Sequence, residues 1–198
     1  MTAVRPGPLP PMAVLDHMSA GIFAATMAPL FEGASRFLGR LAVARPFETL
    51  ANLFARAREI AQAMPIVEQL ALLDAHPRLG APLASVSAMS FVVQGYHREA
   101  AEQAARAAES ERARVAAELD RLNTAYEERF GFRYCVFVAG RPRAALLAGL
   151  GAALRADRPA EIARALDAVV DIATDRAARL GIADVVEADG SAAEEATE

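Results

Sequence analysis

The sequence predicts an all-α, single-domain fold, and three observations support this prediction. The chain has 198 residues, which is a usual length for one domain. It is rich in alanine and has no tryptophan, a composition that favours helices. Its apolar residues recur at the three- and four-residue spacing that places them on one face of a helix. Because 54% of the residues are hydrophobic, such helices can bury a substantial core.

The two ends of the chain are predicted to lie outside this domain. Residues 1–14 contain four closely spaced prolines and are expected to form a flexible Pro-rich arm. Residues 185–198 are rich in alanine and glutamate and predict a disordered acidic tail. The helical domain is therefore expected to span residues 15–184.

Four helices are predicted before the first long break, at 17–28, 33–44, 47–63 and 65–75. The third has an apolar stripe formed by Leu50, Leu53, Phe54, Ala57 and Ile60. The fourth opens with Pro65, which suits a first helical turn. It should stop near His76, because Pro77 disfavours helical dihedral angles at the residue before it. An ionisable imidazole is thereby placed at the end of a helix.

The second half of the chain starts with a predicted loop at 77–97, which is interrupted by Pro, Gly and Ser. An alanine-rich helix begins at Arg98, and a longer helix follows with a buried stripe of Val115, Leu119, Leu122, Tyr126 and Phe130. The segment FGFRYCVFVAG is equally consistent with a buried turn and with a strand. Two more helices are predicted at 141–155 and 159–181.

The last predicted helix contains one residue that departs from its amphipathic pattern. Its apolar stripe consists of Ile162, Leu166, Val169, Ala173 and Leu180. Arg176 follows Val169 by seven residues and so points toward the interior, whereas Arg164 and the three aspartates of the helix are expected on its outer faces. Three interpretations are open: the stem of Arg176 lies over the core, it pairs with a buried carboxylate, or it binds an anion in a pocket.

Composition and charge exclude several classes of protein. A net charge of -4 and a pI of about 5.5 argue against a nucleic-acid partner. No apolar stretch approaches the roughly 20 residues of a membrane helix, and the N-terminus lacks the pattern of a signal peptide, so a cytoplasmic protein is expected. Cys135 is the single cysteine, which excludes an internal disulfide and a multi-thiolate metal site. No metal site and no cofactor are predicted.

Several ordered segments together resemble one family. They are RPF at 45–47, LLDAHPRLG at 72–80, EQA at 102–104, LNTAYEERFGFRYCVFVAGR at 122–141, AALLAGL at 144–150 and EIARALDAVVDIATDRAARL at 161–180. In this order they are similar to the OHCU decarboxylases of urate catabolism, which act on 2-oxo-4-hydroxy-4-carboxy-5-ureidoimidazoline. The resemblance implies a helical bundle of about eight helices, a homodimer without metal or organic cofactor, and decarboxylation of OHCU to (S)-allantoin.

The resemblance also assigns residues. The catalytic pair is His76, in the HPRL motif, and Glu102, which opens an EQ pair. The spacing from Gln103 to Leu122 selects this pair over Glu68-Gln69. Substrate-binding residues are predicted to be Arg176, Gln103, Pro77 and the backbone of Cys135, Val136, Phe137 and Val138.

Four features depart from the family pattern. Glu99 stands where a serine is usual, and Ser85, Ser87 and Ser90 are alternatives for the missing hydroxyl. The loop between His76 and Glu102 is about six residues longer than usual. Arg133 replaces a proline after FGF, and Phe37 replaces a tryptophan.

Two further functional hypotheses stay open beside the decarboxylase. One is a non-catalytic helical binding module on the same scaffold, and the other is a related decarboxylase with another ureido-ring substrate. In the first of these, His76 would only interact with carbonyl groups at its helix end and Glu102 would be an ordinary exposed glutamate. His97 is retained only as a contact near the site.

Overall fold

The computed structural model describes residues 7–81 and 106–182. These residues contain eight α-helices, and no strand is found among them. The helices are α1 (Met12–His17), α2 (Ala20–Met27), α3 (Ser35–Val43), α4 (Leu50–Ala63), α5 (Ile66–Asp74), α6 (Arg106–Phe130), α7 (Arg143–Ala153) and α8 (Arg158–Leu180). The prediction of an all-α fold is confirmed. Among the residues described, no helix has the length and apolar character needed to cross a bilayer.

The helix predicted at 17–28 corresponds to α2 alone, whereas α1 begins at Met12, within the segment predicted as an arm, and was not expected. Met18 is extended, and Ser19 caps α2 by accepting a hydrogen bond from the Ile22 N–H at 3.4 Å, so α1 and α2 are separate helices. Within the segment predicted as an arm, Leu9 is only 2% exposed, and its N–H donates to the Gly181 carbonyl at 2.9 Å. The predicted domain boundaries at residues 15 and 184 stay predictions.

Helix α8 is the central element of the described fold. It packs against α4, α5 and a 3-10 turn at Ala28–Leu30. The Asp157 side chain caps its first turn, and Gly181, with a φ of 72°, ends it in the left-handed region that glycine enters without strain. Its buried face carries Arg176 against the end of α5 and the 3-10 turn, which makes α8 the scaffold of the candidate site.

The HPRLG segment after α5 is fixed to α6 by polar contacts. Arg78 donates to Glu127 at 2.8 Å, to Thr124 at 2.7 Å and to the carboxylate of Asp120. The buried Asn123 side chain donates to the Leu79 carbonyl at 3.0 Å. The two most specific sequence motifs therefore occur together for a structural reason: residues of the LNTAYE segment hold the turn that carries His76.

The segment FGFRYCVFVAG is irregular rather than a strand. Phe130, Phe132 and Tyr134 surround the ring of Tyr126, with centroid distances of 4.6, 5.5 and 5.1 Å. These aromatic contacts anchor the segment in the core without backbone pairing. The structure thereby decides between the two sequence interpretations in favour of a buried turn.

Candidate active site at the His76 turn

His76 lies directly after α5 and is 4% exposed. Its Nδ1 contacts the Leu72 carbonyl at 3.2 Å, and because a carbonyl oxygen can only accept, this nitrogen carries the proton. In the neutral imidazole, Nε2 therefore has the free lone pair. Nε2 is buried, and the structure gives it no hydrogen-bond partner within the residues described. Such a nitrogen is suited to accept a proton or a hydrogen bond from a ligand.

Arg176 is 1% exposed, so the prediction that it points inward is confirmed. Its Nη1 donates to the carbonyls of Pro29 and Leu30 at 3.3 and 2.9 Å, and its Nη2 donates to the Glu32 carboxylate at 2.5 Å. Of the three interpretations of this residue, pairing with a buried carboxylate is what the structure shows.

His76 and Arg176 interact electrostatically. Burial and, next in size, the positive charge of Arg176 lower the pKa of His76 to about 4, while the negative charge of Glu32 acts in the opposite direction. Burial also lowers the pKa of Arg176, against the raising effect of Glu32. At neutral pH the imidazole is consequently uncharged. Because a neutral imidazole can accept a proton, the structure favours a base at this position.

Glu32 is the site residue that the sequence analysis missed. Its side chain is 10% exposed, and its φ of 50° lies in the left-handed region, next to Gly33 at 72°. No periodicity marks a residue in such a turn. The sequence feature that marks this position is the pair Glu32-Gly33 after a proline-containing apolar segment. This pattern predicts a turn, but it does not predict an ion pair.

Arg133, which replaces the proline of the family pattern, supports the His76 turn. Its N–H donates to the Asp74 carboxylate at 3.0 Å, a bond that proline could not make. Its Nη1 donates to the carbonyls of Asp74 and His76 at 2.9 and 3.0 Å. The substitution therefore adds a clamp at the end of α5, on the backbone of the predicted catalytic histidine.

The backbone from Cys135 to Val138 is held by arginines through its carbonyl groups. The Cys135 carbonyl accepts from Arg164 at 2.9 Å, and the Phe137 and Val138 carbonyls accept from Arg141 at 2.6 and 3.0 Å. The structure shows no acceptor within its described residues for the N–H groups of 136, 137 and 138. These N–H groups are the donors that the segment can offer to a ligand.

Cys135 itself is not suited to act as a nucleophile. It is buried, and its Sγ donates to the Leu73 carbonyl at 3.5 Å. Burial raises the pKa of this thiol to about 12, so the reactive thiolate is absent at neutral pH. In this environment Cys135 acts as a small side chain of the hydrophobic core.

Arg164 lies at the edge of the outer face expected for it, with a side chain that is 38% exposed. Its guanidinium lies 5.0 Å from the centroid of the Tyr134 ring and donates to Glu161, which is 2% exposed. The Tyr126 hydroxyl donates to the same carboxylate at 2.6 Å. The Arg164 guanidinium pairs with Glu161 because a buried carboxylate needs charge-balancing donors. The resulting network fixes the backbone at Cys135.

Several predicted site residues lie outside the described residues. They are the catalytic candidate Glu102, the substrate-binding candidate Gln103, and Ser85, Ser87, Ser90, His97 and Glu99. Pro77 is described and is half-buried beside His76. Within the ranges 7–81 and 106–182, no group of three or more His, Cys, Asp or Glu residues could hold a metal ion. Of the predicted set, the structure therefore brings together His76 and Arg176.

The burial of His76 predicts a loss of stability in mild acid. Its pKa is 6.5 in a solvated chain and about 4 in the folded protein, so the unfolded state binds more protons between these values. The contribution is complete above pH 6.5 and is lost as the pH falls toward 4. We expect the titration of His76 to lower the free energy of unfolding by up to about 3 kcal/mol as the pH falls from 6.5 to 4. Denaturant unfolding at a series of pH values measures this loss.

Two variants separate this effect from that of carboxylates that titrate in the same range. His76→Gln should lack this part of the pH dependence. His17→Gln should retain it, because His17 is exposed. A pH dependence that is identical in His76→Gln and in the unmodified protein would contradict a buried, neutral imidazole.

Comparison with known proteins identifies similar proteins that are named for uric acid degradation. The chain is 29% identical over 172 residues to the uric acid degradation bifunctional protein PucL of Bacillus subtilis (strain 168), covering 87% of this chain and 32% of PucL. It is 25% identical over 159 residues to the uric acid degradation bifunctional protein of Bacillus sp. (strain TB-90), covering 80% of this chain and 30% of that protein. The chain thus spans about a third of the length of these curated relatives.

Solved structures and a family profile complete the comparison. A crystal structure of (S)-allantoin synthase superposes with a TM-score of 0.61 at 21% identity, covering 87% of this chain and 54% of that one. A crystal structure of OHCU decarboxylase in the presence of (S)-allantoin gives a TM-score of 0.56 at 21% identity, covering 77% of this chain and 94% of that one. The OHCU decarboxylase profile matches residues 16–178. Because this match covers well over half of the chain, the chain belongs to the OHCU decarboxylase family.

Proposed function

We propose that this protein decarboxylates OHCU to (S)-allantoin in urate degradation without a cofactor. The observation that carries the proposal is the buried pair of His76 and Arg176. The imidazole has an unpartnered Nε2 among the described residues, and the guanidinium is close enough for its charge to lower the pKa of that imidazole. A proton-accepting group beside an anion-binding group meets the main needs of a decarboxylase for a small carboxylic acid.

The chemistry needs few protein groups. When the bond between C4 and the carboxylate breaks, CO2 leaves and the electron pair moves into the adjacent C=N system of the ring. The ring nitrogen that receives the pair takes up a proton. The neighbouring carbon then gains a proton, while the 4-hydroxyl loses one to become a carbonyl. The net change is loss of CO2 from the carboxylate with uptake of one proton. The protein must hold the anion, accept and deliver a proton, and direct that delivery to one face.

The described residues can be assigned to these tasks. Arg176 provides a buried positive charge that attracts the anionic group of the substrate, and Nε2 of neutral His76 accepts the hydroxyl proton. The N–H groups at 136–138 are donors for the ring or ureido oxygens. In this proposal Glu102 orients the imidazole or shares the proton transfer, and Gln103 binds the ureido group. Pro77 contacts the substrate beside His76.

The decisive measurement is stereochemical. Purified protein is mixed with freshly generated OHCU, and the circular dichroism of the product is followed against a protein-free blank. We expect optically active allantoin to form faster than the spontaneous racemic product. Equal traces with and without protein would refute the proposal and favour a non-catalytic binding module. Turnover with another ureido-ring acid, but not with OHCU, would instead indicate a related decarboxylase.

We also propose that the protein is cytoplasmic and forms a homodimer. The dimer follows from the family resemblance, and the location follows from the single cysteine and from the absence of membrane-length apolar segments in the sequence. Sedimentation equilibrium measures the dimer directly. A monomeric mass at micromolar concentration would contradict that part of the proposal.

A further inference from the structure

The turn between α2 and α3 brings several acceptors to one guanidinium. Within four consecutive residues, the carbonyls of Pro29 and Leu30 and the carboxylate of Glu32 all accept from Arg176. The turn is closed by hydrogen bonds from the N–H groups of Phe31 and Gly33 to the Ala28 carbonyl, at 3.2 and 2.9 Å. The acceptors of this turn thus surround a charged side chain from α8, a helix that is far away in the sequence.

The turn also packs against α3 on its other side. The ring of Phe31 packs against Phe37 of α3 with a centroid distance of 4.8 Å, and both side chains are buried. Glu32 follows directly in a left-handed conformation with a φ of 50°, which aims its side chain at α8. The position of the carboxylate is therefore set by the backbone of the turn and by its packing.

The charge of Glu32 affects both members of the candidate site. It balances the Arg176 guanidinium, which would otherwise be an isolated buried charge. It also opposes the effect of Arg176 on His76, since Arg176 makes protonation of the imidazole harder and Glu32 makes it easier. The groups that act on His76 within the described residues are thus Arg176 from α8, Glu32 from the turn, and the Leu72 carbonyl from α5.

We propose that Glu32 is a positioning residue of the candidate site, which orients the Arg176 guanidinium and balances its charge beside His76. The consequence for substrate binding rests on the proposed function, whereas the consequence for His76 does not. Glu32 does not need to touch the reacting atoms, because it acts through the two side chains that do.

The test uses Glu32→Gln, which keeps the shape and an oxygen acceptor for Arg176 but removes the charge. Nitrogen-15 NMR of the histidine rings is followed as the pH is lowered from 7. Compared with the unmodified protein, we expect the protonation of His76 to move to lower pH by about one unit, or to be absent down to the lowest pH at which the fold persists. Glu32→Asp keeps the charge and should restore most of the original titration.

The matched control is Glu68→Gln. Glu68 also accepts two hydrogen bonds from an arginine, Arg40, but this pair lies at the surface away from His76. It should leave the His76 titration unchanged. A His76 titration in Glu32→Gln that equals that of the unmodified protein would overturn the proposal, whatever the global stability of the variant. This outcome is independent of whether OHCU is the substrate.

If the protein has decarboxylase activity, the KM and kcat of the Glu32 variants provide a second test. Disordering of Arg176 should then raise KM for the anionic substrate by roughly tenfold in Glu32→Gln, with a smaller change in kcat, and Glu32→Asp should be intermediate. A lowered KM would show that Glu32 competes with the substrate for Arg176, and would overturn the positioning role.

Discussion

Replacing His76 with glutamine is expected to reduce kcat for OHCU decarboxylation by roughly a hundredfold or more. Nε2 is the buried nitrogen that the structure leaves without a partner among the described residues, and glutamine supplies no comparable base. Its amide N–H groups can still donate to the Leu72 carbonyl, as Nδ1 does at 3.2 Å, so the turn should be preserved. Initial rates from circular dichroism, with unfolding curves on the same samples, measure both effects.

The control for this variant is His17→Gln, at an exposed histidine that also contacts a carbonyl in its own helix. It should retain full activity. In the unmodified enzyme, kcat/KM should be insensitive to His76 ionisation near neutrality and should fall as the pH drops through about 4, since the neutral imidazole is the base. Full activity in folded His76→Gln would remove His76 from the mechanism.

Replacing Arg176 with methionine is expected to damage both stability and catalysis. The change leaves the Glu32 carboxylate, which is 10% exposed, without its guanidinium, and breaking such a buried pair costs about 3–5 kcal/mol. In the proposed mechanism it also removes the group that binds the anionic substrate, so kcat/KM should fall by at least tens-fold. Denaturant unfolding and steady-state kinetics measure the two losses separately.

A double variant distinguishes these two roles of Arg176. Combining Arg176→Met with Glu32→Gln removes both charges, so most of the lost stability should return, because two neutral side chains can replace a buried ion pair. Activity should not return, because no cation is left to hold the substrate. If the double variant regains both stability and activity, Arg176 serves only the fold and the anion-binding role is wrong.

Helix boundaries and core faces were largely predictable because they depend on local periodicity. The stripe of α8 and the buried direction of Arg176 follow from 3.6 residues per turn, whichever helices pack beside it. The end of α5 before His76 follows from Pro77. Helix α1 was missed, since it has only six residues and begins within a proline-rich segment that predicts an irregular arm.

The candidate site was predictable only in part, for the same reason. Arg164 was expected on an outer face and its side chain is 38% exposed, but its contacts with the buried carboxylate of Glu161 and the ring of Tyr134 were not expected. The clamp of Arg133 on the His76 carbonyl spans 57 positions in sequence, and no local pattern indicates it. Glu102 and Gln103 lie outside the described residues and stay predictions.

By itself, the sequence determined the helical class, the order of motifs that marks the family, the position of His76 at a helix end and the inward direction of Arg176. Only the tertiary structure decided that Glu32, 144 positions away, is the partner of Arg176, and that His76 is buried and uncharged. Periodicity reports which face of a helix avoids water. The partner that meets that face, and the pKa that results, depend on how distant elements pack and on the solvent they exclude.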